Sequence, residues 1–220
     1  MLDVLLIAPV VPGLPPLSWI TESSSLSLQD GVSMQFLGGQ ELTKTAAAAA
    51  LRKRHDIVIW SGHGAPGELF GPGWKVQPEW IAVQARCGLP RLLVLAACGS
   101  GLSGRHVTSL ASEVSRNGIN TVAFPMQADD RAAMVYNQEL IGAAVAGTDM
   151  WSAHRVALEA IRDEWPDVAK SVTLLPGFTD GMRDFIVRIE GLEGHVTDLC
   201  TRMAGLEQSM GLLLQHFHIR

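Results

Sequence analysis

A thiol and an imidazole stand at matching places in this sequence. His63 follows the apolar run IVIW within WSGHGAPG, and Cys98 follows the apolar run LLVLAA within ACGSG. A free thiol, with an ordinary pKa of about 8.5, is mostly protonated at neutral pH; a neighbouring imidazole can take that proton and leave the reactive thiolate. The pair is the minimal kit for acyl transfer. Gly64 and Gly99 permit tight turns beside the two groups, and the backbone N–H groups of Gly64 and Cys98 can converge on a developing oxyanion. Singly, each residue has a plain structural reading, since a cysteine after an apolar strand is usually a small buried hydrophobe. The paired placement at two strand ends is what raises the chemical reading above the plain one.

Such a pair needs two adjacent strands to present it. The first two-thirds of the chain alternates short apolar runs with longer amphipathic stretches, the pattern of a mostly parallel sheet built from helical crossovers. Strands are expected at Val4 to Ala8, Ser33 to Leu37, Asp56 to Trp60, Leu92 to Ala96 and Thr121 to Pro125, with a last edge strand at Ser171 to Leu175. Helices are expected at Glu41 to Lys53, Pro78 to Arg86, Gly104 to Asn117, Asp130 to Ala146 and Met150 to Glu164. The runs IVIW and LLVLAA are apolar at nearly every position, as central strands covered on both faces are. In an open α/β sheet, ligands bind beyond the C-terminal ends of the strands, where His63 and Cys98 both fall.

Other chemistries fit poorly. A zinc site needs three or four ligands, and neither His63 nor Cys98 has a companion at ligand spacing; no HExxH, CxxC or EF-hand pattern is present, so no metal is expected. The stretch GSGLSG at 99 to 104 lacks the lysine of a P-loop and the spacing of a dinucleotide fingerprint, and no cofactor is expected. A net charge of −5 argues against direct nucleic-acid binding. Three irregularly spaced cysteines, Cys87, Cys98 and Cys200, suit free thiols in a reducing, cytoplasmic compartment. Cys87 and Cys200 are given no role, nor are the other histidines. The apolar opening MLDVLLIAPVVPGLPP is interrupted by prolines and carries Asp3 where a signal peptide would be basic. No apolar run approaches the roughly 20 residues needed to cross a bilayer, so no membrane association is expected.

The strand ending in SGHG, the strand ending in AACGSG and a further strand running into FPMQADDRAA together resemble the CHAT domains, relatives of caspases, separases and metacaspases. Tyr136, Leu140 and Gly147, and the stretch SAHRVALEAI, are similar to the two helices that close such a domain, so the resemblance covers roughly residues 1 to 176. It implies a caspase-hemoglobinase α/β fold and a thiol endopeptidase acting on a protein substrate through a dyad, here His63 and Cys98. It further implies a regulated effector of a bacterial defence system, triggered by a sensor or activator protein. The competing function is a non-catalytic scaffold of the same fold. Metacaspases that cut after Arg or Lys carry an acid two residues before the nucleophile, where this sequence has Ala96. A pocket for a basic side chain would draw on Asp129 or Asp130 instead; the alternative is that Asp129 caps the following helix.

Past a linker at 177 to 184 the character changes. Phe185, Ile189, Leu192, Val196, Leu199, Met203, Leu206, Met210, Leu213 and Phe217 recur at alternating intervals of four and three, a heptad seam. Ile189 and Val196 fall at a positions and leucines at d, the combination that favours two parallel strands. A C-terminal coiled coil over 185 to 220 is therefore expected, joining two copies or binding a partner helix, with an amphipathic helix folded back on the main domain as the alternative.

Overall fold

The apolar runs become the centre of the sheet. The computed structural model describes residues 1–15, 17–97, 109–124 and 129–177. Along these the order is β1 (Leu2–Pro9), α1 (Trp19–Ser27), β2 (Val32–Gly39), α2 (Lys44–Leu51), β3 (Ile57–Gly62), β4 (Gly64–Ala65), β5 (Glu68–Gly71), β6 (Trp74–Val76), α3 (Pro78–Gly88), β7 (Leu92–Ala97), α4 (Leu110–Arg116), β8 (Thr121–Ala123), α5 (Asp130–Val145), α6 (Met150–Arg162), α7 (Pro166–Ser171) and β9 (Thr173–Leu175). Among the described residues the main sheet has six strands in the order β2-β1-β3-β7-β8-β9. All neighbours are parallel except β8 and β9. The expected final strand is thus shorter than Ser171 to Leu175 and antiparallel, because Ser171 completes α7.

Strand alternation divides the apolar side chains between two layers. Leu5, Ile7, Val58, Trp60, Leu93 and Leu95 share one core with residues of α2, α3 and α4. Val4, Leu6, Ile57, Ile59, Leu92 and Val94 share the other with Leu26 of α1 and with α5 and α6. Leu92 to Leu95 are all fully buried, and burying each such side chain contributes about 1.5–3 kcal/mol. The strands β3 and β7, which lead to the candidate site, are thus anchored in both layers of the core.

Helix starts follow capping chemistry. Thr43 accepts the Ala46 N–H and starts α2 at Lys44, three residues later than expected from Glu41. Ser109 accepts the Ser112 N–H and starts α4 at Leu110. Residues 104 to 108 of the expected helix, and Pro125 of the expected strand, lie outside the described residues. So do 178 to 220, including the whole proposed coiled-coil segment.

Besides the short helix α7, which follows the expected stop at Trp165 and Pro166, two elements are additions to the expected set. The chain after β3 forms a three-stranded antiparallel sheet, β4-β5-β6. Its two turns are Pro66-Gly67 and Pro72-Gly73, with the glycines at φ 79° and 72°, the arrangement of a type II turn in which proline sets the first central residue and only glycine is comfortable at the second. Trp74 of β6 meets Trp60 of β3 edge to face at 6.1 Å and tacks this small sheet to the main core. The other addition is α1, whose attachment is mostly polar. Leu26 is buried, Ile20 is 62 % exposed, and α1 with its flanks is tied to α5 by side-chain hydrogen bonds at Ser18, Glu22, Ser25 and Gln29.

Candidate functional site

β3 and β7 run in constant register from Ile57 opposite Leu92 to Gly62 opposite Ala97. His63 and Cys98 are the next residues of the two segments. The described pairing therefore reaches the residue before each candidate group, on neighbouring parallel strands. Cys98 itself, with residues 99–108, lies outside the described residues.

His63 is half-buried, and its Nε2 lies 2.8 Å from the carbonyl oxygen of Pro15, in the loop between β1 and α1. A carbonyl can only accept, so the nitrogen facing it carries the hydrogen; in the neutral ring Nδ1 then holds the lone pair and is the position able to take a proton. Pro15 thus sets the tautomer and orients the ring. The main chain is held as well, since the His63 carbonyl accepts the Phe70 N–H at 3.0 Å. In an antiparallel ladder, hydrogen-bonded and non-bonded pairs alternate. With His63 and Phe70 bonded, the next pair, Gly64 opposite Leu69, is non-bonded, and the Gly64 N–H points away from β5.

Beneath His63 on the same strand, Ser61 is buried, and so is Glu22 of α1 at 3 % exposure. The Glu22 carboxylate accepts from Asn137 Nδ2 at 2.7 Å and shares a side-chain hydrogen bond with Ser61. Burial pushes the Glu22 carboxyl above the ordinary glutamate range; Asn137 and Ser61 pull it back, and the nearby charge of Asp130 adds to the rise. Neither Glu22 nor Asn137 was readable as part of the site, because each comes from a helix distant in sequence. Ser61 carried a weak signal as the one hydroxyl at the end of an otherwise apolar strand. Pro15 contributes a backbone atom and carried none.

Asp129 and Asp130 lie at the start of α5, and both have structural partners. Asp129 is the N-cap, its Oδ1 accepting the Arg131 N–H at 2.8 Å, and Asp130 Oδ2 accepts the Ser18 N–H. The capping alternative for Asp129 is therefore realised, and Asp130 ties the start of α1 to α5. Cys87 is an exposed free thiol on α3. His55 sits just before β3, 3.3 Å from Asp3, at the opposite end of the strand from His63. Among the described residues no group of three or more potential ligands could hold a metal ion, and no helix is long and apolar enough to cross a membrane.

No protein-family model and no curated protein matches this sequence. Among solved structures, the chain is similar to the Arg-specific cysteine proteinase gingipain R, with a TM-score of 0.63 at 12 % identity. The match covers 80 % of this chain and 46 % of the proteinase, so this chain spans less than half of that protein. At this identity the likeness is one of fold. The chain has a caspase-like α/β fold at the coarse level: a mostly parallel sheet with helices on both faces.

Proposed function

We propose that this protein is a caspase-like cysteine endopeptidase of the CHAT type, with Cys98 as nucleophile and His63 as general base. The observation that supports it is the β3–β7 register, which ends at Gly62 and Ala97 and leaves the imidazole and the thiol as the next residues of adjacent strands. The proton of the Cys98 thiol passes to Nδ1 of His63, and the thiolate attacks the carbonyl carbon of a peptide bond. The N–H groups of Gly64 and Cys98 receive the oxyanion. His63 then returns the proton to the departing amine, leaving a thioester. Water, giving its proton to His63, hydrolyses that ester and frees Cys98. Pro15 holds the ring in the required tautomer throughout, so no carboxylate partner is needed.

The substrate is a protein, and the setting is a regulated effector of a bacterial defence system answering to an activator. The similar proteinase is Arg-specific, and here a basic residue before the scissile bond would be met by Asp129 or Asp130. Residues 185 to 217 join two copies, or bind a partner helix, through their heptad seam. The deciding experiment is labelling of the full-length protein with a thiol-reactive peptidyl electrophile, followed by identification of the modified cysteine. Capture at Cys98 that His63→Ala abolishes supports the peptidase; labelling spread over Cys87, Cys98 and Cys200 at equal rates removes it and leaves the scaffold.

A further inference from the structure

We infer that Glu22 is a positioning residue for His63, clamping α1 against the His63 strand so that the loop ahead of α1 keeps the Pro15 carbonyl on the imidazole. This rests on the reading of His63 as the base and assigns it a support the dyad itself does not contain. Three ties converge on the clamp. Asp130 Oδ2 takes the Ser18 N–H, three residues past the carbonyl that holds His63. Asn137 Nδ2 donates to Glu22 from α5, and Ser61 bonds the same carboxyl from β3, two residues before His63. Leu26 is the buried apolar anchor among the described side chains of α1, and the polar ties complete its attachment.

The donors and acceptors of the clamp show how it responds to pH. Two carboxyl oxygens and Asn137 Oδ1 are acceptors, and that Oδ1 is buried with no partner among the described residues. Against them stand the Asn137 amide and the Ser61 hydroxyl. A proton on Glu22 supplies the missing donor and removes a buried charge, in line with the upward push that burial gives this carboxyl. Asp130, from α5, is the charged group acting on it; Ser61 and Asn137 are neutral. In the neutral form the clamp is closed. As pH rises through the raised value, Glu22 ionises beside Asp130 and α1 loosens, carrying Pro15 off His63. The sign follows from linkage: a carboxyl with a raised folded-state pKa stabilises the fold at low pH and loses that contribution as pH rises from about 4.3, its unfolded value, through the folded one.

The test uses full-length protein as wild type, Glu22→Gln and Glu22→Ala. Gln is the neutral isostere, able to accept from Asn137 and donate to Ser61. Three quantities are read between pH 5 and 9: the melting midpoint, the nitrogen-15 shift of His63 Nε2, and the rate of Cys98 alkylation by iodoacetamide. Glu22→Gln is expected to flatten the alkaline fall of the melting midpoint and keep the His63 signal and Cys98 rate of the wild type to higher pH. Glu22→Ala is expected to displace the His63 signal and slow Cys98 alkylation at least about tenfold at neutral pH. Parallel melting profiles for wild type and Glu22→Gln, or a His63 signal unmoved in Glu22→Ala, overturn the inference. Failure of the dyad is read separately, as a wild-type Cys98 rate that His63→Ala leaves unchanged, and the His63 signal still decides the clamp.

Discussion

Gly62 faces Ala97 across the two central strands, and nothing separates that pair from His63 and Cys98 but a single peptide step on each side. If the two groups form the proposed dyad they act as one unit, and effects within a catalytic unit do not add. Cys98→Ala and His63→Ala should each abolish proteolysis, the double variant should be little worse than either, and the melting transition should survive in all three. Residual cleavage at the wild-type rate in Cys98→Ala would sink the assignment.

Asp129 and Asp130 separate by their partners. Asp129→Ala removes a helix cap and should cost about 1 kcal/mol of stability, seen as a drop in melting midpoint of roughly 2–4 °C for a chain of this size. Asp130→Ala should weaken any preference for Arg or Lys before the scissile bond and, through Ser18, also disturb α1. Profiling with Arg, Lys, Asp and apolar peptides measures the first effect. An unchanged preference in both variants places the pocket elsewhere.

The buried pair Tyr136 and His154, 2.6 Å apart between the hydroxyl and Nδ1, sets an acid limit. Burial lowers the His154 pKa, so the folded state wants this ring neutral and accepting from Tyr136. Stability from this group is full above its unfolded value of about 6.5 and is lost as pH falls below it. His154→Asn keeps an acceptor that cannot titrate and should shrink the drop in melting midpoint between pH 6.5 and 5. A drop of wild-type size in that variant would show that other groups cause it.

If the segment from 185 to 217 pairs in parallel through its seam, full-length protein should scatter light as a dimer at micromolar concentration. Leu199→Asp with Leu206→Asp, charges at two d positions, should return it to a monomer. A wild-type monomer would remove the homodimer and leave a partner helix or a fold-back.

Much of the main sheet was legible because its strands are buried on both faces and so read as unbroken apolar runs: LLVL and IVIW have no other plausible use. The segment that became α1, WITESSSLS, escaped for the opposite reason. Its serines are middling helix formers, and the buried pair among its described side chains is Glu22 and Leu26, so an acid stands where an apolar residue would have marked the helix. The small antiparallel sheet had a readable mark, two Pro-Gly dipeptides bracketing ELFG, whose turn chemistry was stronger evidence than the brevity of the strands. At the candidate site, His63 stood out in the sequence from its place after a strand. Its holder did not: a backbone carbonyl 48 positions earlier leaves no residue type to notice.

The two Pro-Gly turns also say where this chain can grow. Strand register has a period of two, so one residue added inside β3 or β7 would send every side chain beyond it on that strand to the other face. Between those strands the polypeptide turns at Pro66-Gly67 and Pro72-Gly73, where Pro66 and Gly73 are exposed and Gly67 is buried, and extra length in a loop adds only slowly to the entropy of closing it. Material inserted at the exposed Gly73, even a folded module, leaves the lengths of β3 and β7 untouched. The fold thereby offers a port for attaching a further module between its two central strands.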